Sequence, residues 1–239
     1  MNPAPTKRIL ALDLGRTAAV VGMVIFHFTF DLQMFGYIPP DTTFQPFWYY
    51  FARLIADTFL FLSGVSLWLA HGQGLRWPVF WRRFARIAAA AVLVSVVSRW
   101  ATPGAPIHFG ILHGIAVSSL IALAFLRLPP LVTLAVAAAV FALPWVLQSP
   151  AFDPIWLIWT GLAETRPPMA DYVPLFPWLA PCLAGLAVAK LGVLPRASRP
   201  VTPAFSALTF AGRHSLIIYL LHQPVMIAGF TVYARLTSG

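Results

Sequence analysis

The chain has 239 residues, of which 59% are hydrophobic and only 10% charged, against a charged share of about a quarter in soluble domains. Charge this sparse cannot cover a water-soluble globule of this size, so the outside must face lipid. The net charge of +9, from 16 Lys and Arg against 7 Asp and Glu, then reads as a membrane-topology signal rather than a nucleic-acid surface, and no nucleic-acid partner is expected.

A bilayer-spanning helix needs about 20 mostly apolar residues. Such stretches fall, in chain order, near residues 14–35, 47–70, 85–99, 109–127, 129–148, 174–193 and 212–235. The expected fold class is therefore all-α, a polytopic transmembrane helix bundle of about seven spans. The first stretch follows MNPAPTKR without a small-residue cleavage pattern and reads as a retained anchor. Between the fifth and sixth spans, FDPIWLIWTGLAETRPPMADY sets Trp156 and Trp159 beside charged residues, which suits an interfacial or re-entrant element. No repeat and no long polar linker divides the chain, so residues 1–239 read as a single domain. Lys and Arg concentrate at Lys7, Arg8, Arg16, between Arg76 and Arg86, and from Lys190 to Arg213. That bias puts the N-terminus inside and, with seven spans, the C-terminus outside, as an integral protein of a bacterial inner membrane in contact with its lipid.

Several polar side chains stand where lipid excludes them. The first span, LDLGRTAAVVGMVIFHFTFDLQMFG, carries Asp13, Arg16, His27 and Asp31. Asp13 and Arg16 are three apart and can pair near the inner surface, whereas His27 and Asp31 are four apart and share a face nearer the outer one. Arg16 and His27 are separated by about 16 Å of helical rise, so they can line one cavity at two depths. An ionisable group inside a span is costly and suggests function. A carboxylate one turn from an imidazole can hold its tautomer and stabilise its protonated form, so His27 with Asp31 is a candidate general-base dyad.

In the second span Arg53 and Asp57 are also four apart, and an ion pair fixing helix packing is as good a reading as a catalytic one. Ser63, Gly64 and Ser66 narrow the same helix for a close neighbour or ligand. Arg82, Arg83 and Arg86 fall at the inner start of the third helix, where they serve as a topology and lipid-headgroup signal or hold a polyanion. The fourth span carries His113, and the last carries His214 near its inner end and His222 near its middle, beside Gln223 and before Pro224. Tyr219 and His222 are three apart and can face one cavity. A hydrogen-bonded packing role remains open for each of these histidines. The single cysteine, Cys182, excludes a disulfide framework and Cys-based metal spacing, and no metal is expected.

LDLGRTAAVVGMVIFHFTFDL resembles the opening of the heparan-α-glucosaminide N-acetyltransferase catalytic-domain family and, more distantly, the membrane acyltransferase-3 family, whose shared signature is an Arg, ten residues and a His; Arg16 and His27 fit it. TFLFLSGVSLWL, FWRRFARI, FGILHGIA and GRHSLIIYLLHQPV resemble later segments of these families in the same order. The resemblance implies an acyl-CoA-dependent N- or O-acyltransferase. It would take an acyl group, commonly acetyl, from cytoplasmic acyl-CoA and pass it to an amine or hydroxyl of an extracytoplasmic sugar or glycan. Arg16, Arg82, Arg83 and Arg86 would bind the CoA cosubstrate, His27 with Asp31 would be catalytic, and Asp57, His113, Tyr219 and His222 would line the substrate cavity. The chain departs from the family at Thr17, where Gly is usual, and residues 33–46 lack the His that follows in the animal enzymes. It is also shorter than those enzymes, and the resemblance leaves open the expectation that some substrate-binding helices are absent or supplied by a second subunit, as in a homodimer. Two other functions compete: a haem-binding membrane protein using His27, His113 and His222, and a non-catalytic transporter or scaffold.

Overall fold

The computed structural model describes residues 8–192, 198–199 and 203–237. Lys7, used above for orientation, lies outside the described residues. The long helices are α1 (Leu10–Met34), α2 (Pro46–His71), α3 (Trp77–Ala101), α4 (Ile111–Ala122), α5 (Pro130–Leu147) and α6 (Leu175–Lys190), followed by the short α7 (Pro203–Leu208) and α8 (Phe210–Arg213) and the long α9 (Ser215–Thr237). Two-residue strands β1 (Arg8–Ile9) and β2 (Ser198–Arg199) pair antiparallel. An apolar helix thus stands at each expected span. Among the described residues five are long and apolar enough to cross a membrane: α1, α2, α3, α5 and α9. Ile111–Phe125 and Leu175–Lys190 are apolar but shorter.

Two spans differ clearly in extent: the fourth, expected over 109–127, is helical only from Ile111 to Ala122 before a 3-10 turn, and the third is longer than expected. Hydropathy places it at 85–99, but the helix runs from Trp77 to Ala101. Pro78 sits in its first turn, where proline's fixed φ favours helix and its missing N–H costs nothing. Arginine is a good helix former, so the helix continues through the cluster. Arg82, Arg83 and Arg86 therefore lie within it, not at its start.

The chain divides into two compact units, Met1–Thr58 with Pro195–Gly239, and Phe59–Leu194. In the first, α1 packs against α8 and α9. It approaches α8 closely at Gly212, where a Cβ would run into the Asp13 carbonyl. The Thr17 hydroxyl accepts from the Gly212 N–H at 3.0 Å and donates to the Asp13 carbonyl at 3.0 Å. The contacts of α1 with α9 advance together along both helices: His27 meets His222, and further on Phe28 and Phe35 meet Phe230 at ring-centroid distances of 5.4 and 5.2 Å. The two helices therefore run in the same direction. Beyond α1, the Gln33 side-chain oxygen accepts from both the N–H and the hydroxyl of Thr43 at 2.8 Å, folding the following loop back onto the helix.

In the second unit, α4 and α5 pack on α6, and α3 packs on α4. The C-terminal half of α2 crosses α6 through two glycines. A Cβ on Gly64 would collide with the Cys182 carbonyl, and one on Gly185 with that of Phe61. Small residues let two backbones meet this way where apolar side chains alone gain little from leaving lipid. The Ser63 and Ser119 hydroxyls, 3.2 Å apart, join α2 to α4. The Lys190 ammonium donates to the carbonyls of Phe125 and, at 2.8 Å, Leu128, and to the Thr133 hydroxyl at 3.3 Å, gathering the acceptors between α4 and α5.

The 149–173 segment is built from short 3-10 turns, Pro150–Phe152 and Ile158–Thr160. Polar side chains hold it. Tyr172 donates to the Ile158 carbonyl at 2.7 Å, and Asp153 accepts from the Thr165 hydroxyl at 2.6 Å and from the amides of Thr165 and Glu164 at 3.1 and 2.8 Å. These donors, Thr165 first, hold the Asp153 carboxyl below its ordinary value of 3.8. A depressed folded-state pKa stabilises above the unfolded value, and the effect is lost as pH falls through the folded one. Protection of the Glu164 and Thr165 amides, relative to their intrinsic exchange at each pH, is therefore expected to hold down to about pH 4 and to fall below it, while Asp153→Ala removes that protection at neutral pH. For the helix crossing, Gly64→Ala is expected to destabilise by about 1–3 kcal/mol through overpacking against backbone. Gly104→Ala, where nothing lies within 4 Å of the added carbon, serves as the neutral control in thermal unfolding.

Candidate functional site

The polar side chains of the spans fall into two groups, those whose hydrogen bonds are complete and those whose bonds are not. His113 belongs to the first. Its Nδ1 accepts from the Gly110 N–H at 3.2 Å, so the neutral ring carries its proton on Nε2, which faces the Ser95 hydroxyl at 3.3 Å; Ser95 in turn donates to the Ile107 carbonyl at 2.7 Å. This chain of bonds ties α3 to the start of α4, and both ring nitrogens are used. His71, which the sequence did not single out, is also structural. Its buried Nδ1 accepts from the Arg76 N–H at 3.2 Å and closes the turn between α2 and α3.

Arg16 pairs with Asp13 at 3.2 Å, as their three-residue spacing implies. Arg53 lies over the Tyr49 ring, 4.4 Å from its centroid, one turn before Asp57 on α2. Arg82 and Arg86 are exposed, with the Arg86 Nε donating to the Arg82 carbonyl at 3.2 Å. Arg83 is half-buried and lines a recess with Phe80, Phe84, Ile87, Ala116 and Ser119. The cluster thus offers two solvent-facing guanidiniums and one turned inward.

Apart from the buried Ser118 hydroxyl of α4, which also has no partner among the described residues, the incomplete group is where α1 meets α9. The His27 and His222 rings pack edge to face, 4.9 Å between centroids. The His222 Nδ1 lies 2.7 Å from the Tyr219 carbonyl, and the Tyr219 ring is 5.8 Å from the imidazole. Asp31 is fully buried, and its Oδ1 accepts from the Gln223 side-chain amide at 2.6 Å. Asp31 does not orient His27, as their spacing suggests it would, since no hydrogen bond joins them among the described residues. A four-residue spacing says only that two side chains share a face, and here the longer Gln223 side chain of the adjacent helix reaches the carboxylate. Three buried atoms of this cluster have no hydrogen-bond partner among the described residues: Asp31 Oδ2, Gln223 Oε1 and His222 Nε2. An unpaired buried polar group costs about 1–3 kcal/mol. Three at one helix contact mark a place where something else supplies the donors.

The model of the heparan-alpha-glucosaminide N-acetyltransferase catalytic domain matches residues 8–224, from the first residue of β1 to the proline that follows Gln223. The chain belongs to this family. Family membership makes it a membrane acetyltransferase-type protein, and the match spans Arg16 with His27 at one end and His222 at the other. No curated protein and no solved structure matches the chain. The Thr17 hydroxyl bridges Asp13 and Gly212, which accounts for a threonine at this position. The haem reading is not supported by this geometry. Both nitrogens of His113 are engaged, and the His27 and His222 rings touch each other with no room for an iron between them.

Gln223 is the residue that sequence reasoning undervalued. In the sequence it is visible only as a polar amide in an apolar span beside a histidine. Gln223→Leu is expected to strand the Asp31 carboxylate and destabilise the protein by about 1–3 kcal/mol, seen as a lower unfolding temperature in detergent. Gln223→Glu, whose carboxyl can share a proton with Asp31, is expected to recover much of that loss at acidic pH.

Proposed function

We propose that the protein transfers an acyl group, acetyl in the first instance, from cytoplasmic acyl-CoA to an amine or hydroxyl of an extracytoplasmic glycan. The observation that carries this reading is the cluster of His27, Asp31, His222 and Gln223 in a chain of this family, with buried acceptor atoms that have no donor among the described residues. The acceptor substrate is the missing donor. Its X–H hydrogen-bonds into the cluster, X attacks the thioester carbonyl, the C–S bond breaks, and the proton leaves with the CoA thiolate as a thiol.

The topology serves this traffic. With the N-terminus inside and seven crossings, the first and last helices both run outward, and α1 and α9 do run in the same direction. Arg16 and the cluster of Arg82, Arg83 and Arg86 then belong to the cytoplasmic side by the distribution of basic residues. Arginine suits CoA phosphates because its fork bonds bidentately. His27 lies about 16 Å along α1 from Arg16, a span that an extended pantetheine arm covers.

The test is transfer of radiolabelled acetyl from acetyl-CoA to amino sugars and neutral glycans by the purified protein in lipid nanodiscs. The wild type is expected to form acetylated product. Replacing Arg82, Arg83 and Arg86 by Ala is expected to raise KM for acetyl-CoA by about tenfold for each charge-assisted hydrogen bond removed, with little change in kcat. His27→Ala, which frees the His222 ring packed against it, is expected to lower kcat by about a hundredfold through lost positioning. A wild-type protein that neither binds acetyl-CoA nor forms product would instead favour the transporter or scaffold reading.

A further inference from the structure

Two imidazoles meet at the α1–α9 contact, and they are not equivalent. The His222 Nδ1 faces the Tyr219 carbonyl at 2.7 Å. A carbonyl oxygen can only accept, so Nδ1 carries a hydrogen and donates it. In the neutral ring the lone pair is then on Nε2, the atom that is buried without a partner among the described residues. The backbone thus fixes both the tautomer and the orientation of His222, the service an aspartate performs for the histidine of a hydrolase triad. His27 has no such bond among the described residues; its ring lies edge to face against His222. The two other partnerless atoms, Asp31 Oδ2 and Gln223 Oε1, are also acceptors, and the 2.6 Å bond between their side chains holds them together.

Resting on the acyl-transfer reading, we propose that His222 is the general base of the reaction, its Nε2 taking the proton of the acceptor's amine or hydroxyl, while Asp31 and Gln223 position that group. As the acceptor's nitrogen or oxygen bonds to the thioester carbonyl, its proton passes to Nε2. As the C–S bond breaks, the imidazolium returns that proton to the departing thiolate, so the ring ends the cycle neutral. Tyr219 takes part through its backbone carbonyl, which also stabilises the imidazolium that forms transiently. His27 packs against the base and limits how its ring can turn. The sequence signature points to His27; the hydrogen-bond pattern points to the histidine it touches.

The discriminating substitution is His222→Asn. An asparagine side-chain amide can keep the donation to the Tyr219 carbonyl while removing the Nε2 lone pair, so the helix contact survives and the base does not. It is expected to lower kcat by about 10²–10⁴-fold with KM for acetyl-CoA within about twofold of the wild type and an unchanged unfolding temperature. His222→Ala is expected to lose the same activity and to recover part of it with added imidazole. Independently of turnover, 15N spectra of histidine-labelled protein in lipid, with His222 assigned by its loss in His222→Asn, are expected to show the Nδ1-protonated tautomer near neutral pH. Wild-type transfer with His222→Asn retaining kcat within about threefold, or an Nε2-protonated His222, would overturn this assignment and leave the acyl-transfer reading standing. Absence of transfer by the wild type, with acetyl-CoA unbound, would overturn that reading and the assignment with it.

Discussion

Water is absent from the interior of a bilayer, so every polar group placed there must find its partner within the protein or within a substrate. That constraint sorts the polar residues of this chain. Thr17 is satisfied by Asp13 and Gly212, His113 by Gly110 and Ser95, and Lys190 by carbonyls at the join of α4 and α5. Each of these is a device of packing, a polar clasp that holds helices where apolar surface alone supplies little net attraction. The α1–α9 contact obeys the same rule with one side of each bond left open. Asp31, His222 and Gln223 are fastened through Oδ1, Nδ1 and Nε2, and what remains are three acceptors. A protein built only for stability would fill such places with leucine; one that must seize an X–H group leaves them open.

The family assignment and the geometry constrain each other. The match runs through residue 224 and so ends immediately after the His222–Gln223 pair, while its first residues include the helix that carries Arg16 and His27. The two ends of the matched region are the two helices that meet in space. This explains why a chain with few ionisable residues distributes them so unevenly. The first and last spans carry the cluster, and the half of α2 that belongs with them carries Arg53 and Asp57. The second unit is held by Gly64 and Gly185, by the Ser63–Ser119 contact and by Lys190, features that bring helices together. Arg82 and Arg86 stand apart from that pattern: both are exposed, and the Arg86 Nε bonds the Arg82 carbonyl of its own helix.

Much of the fold was legible because hydrophobic length is a strong signal. Apolar helices stand at the stretches that composition marked, five of them among the described residues long enough to cross a membrane, and the irregular 149–173 segment interrupts them where Trp and charge adjoin. Helix ends were less legible: α3 begins at Trp77 because proline and arginine are compatible with a first helical turn, a preference that hydropathy does not register. The site was legible by residue but not by partnership. Spacing along one helix paired Arg16 with Asp13 correctly, yet it paired Asp31 with His27, whereas Gln223 from a distant part of the chain reaches that carboxylate. Spacing could not tell His113 from His222 either. Both are imidazoles on apolar helices, and only the three-dimensional bonds show that one has both nitrogens occupied and the other has one.

The central claim is that acyl transfer occurs where α1 meets α9. It is tested most directly by photo-crosslinking with an acyl-CoA analogue that carries a diazirine on its acyl carbon chain, followed by mapping the adducts by mass spectrometry. The account predicts adducts on the turns around His27 and Asp31 of α1 and around His222 of α9, suppressed by excess acetyl-CoA. Competable adducts confined to other helices, with these turns unlabelled, would contradict it.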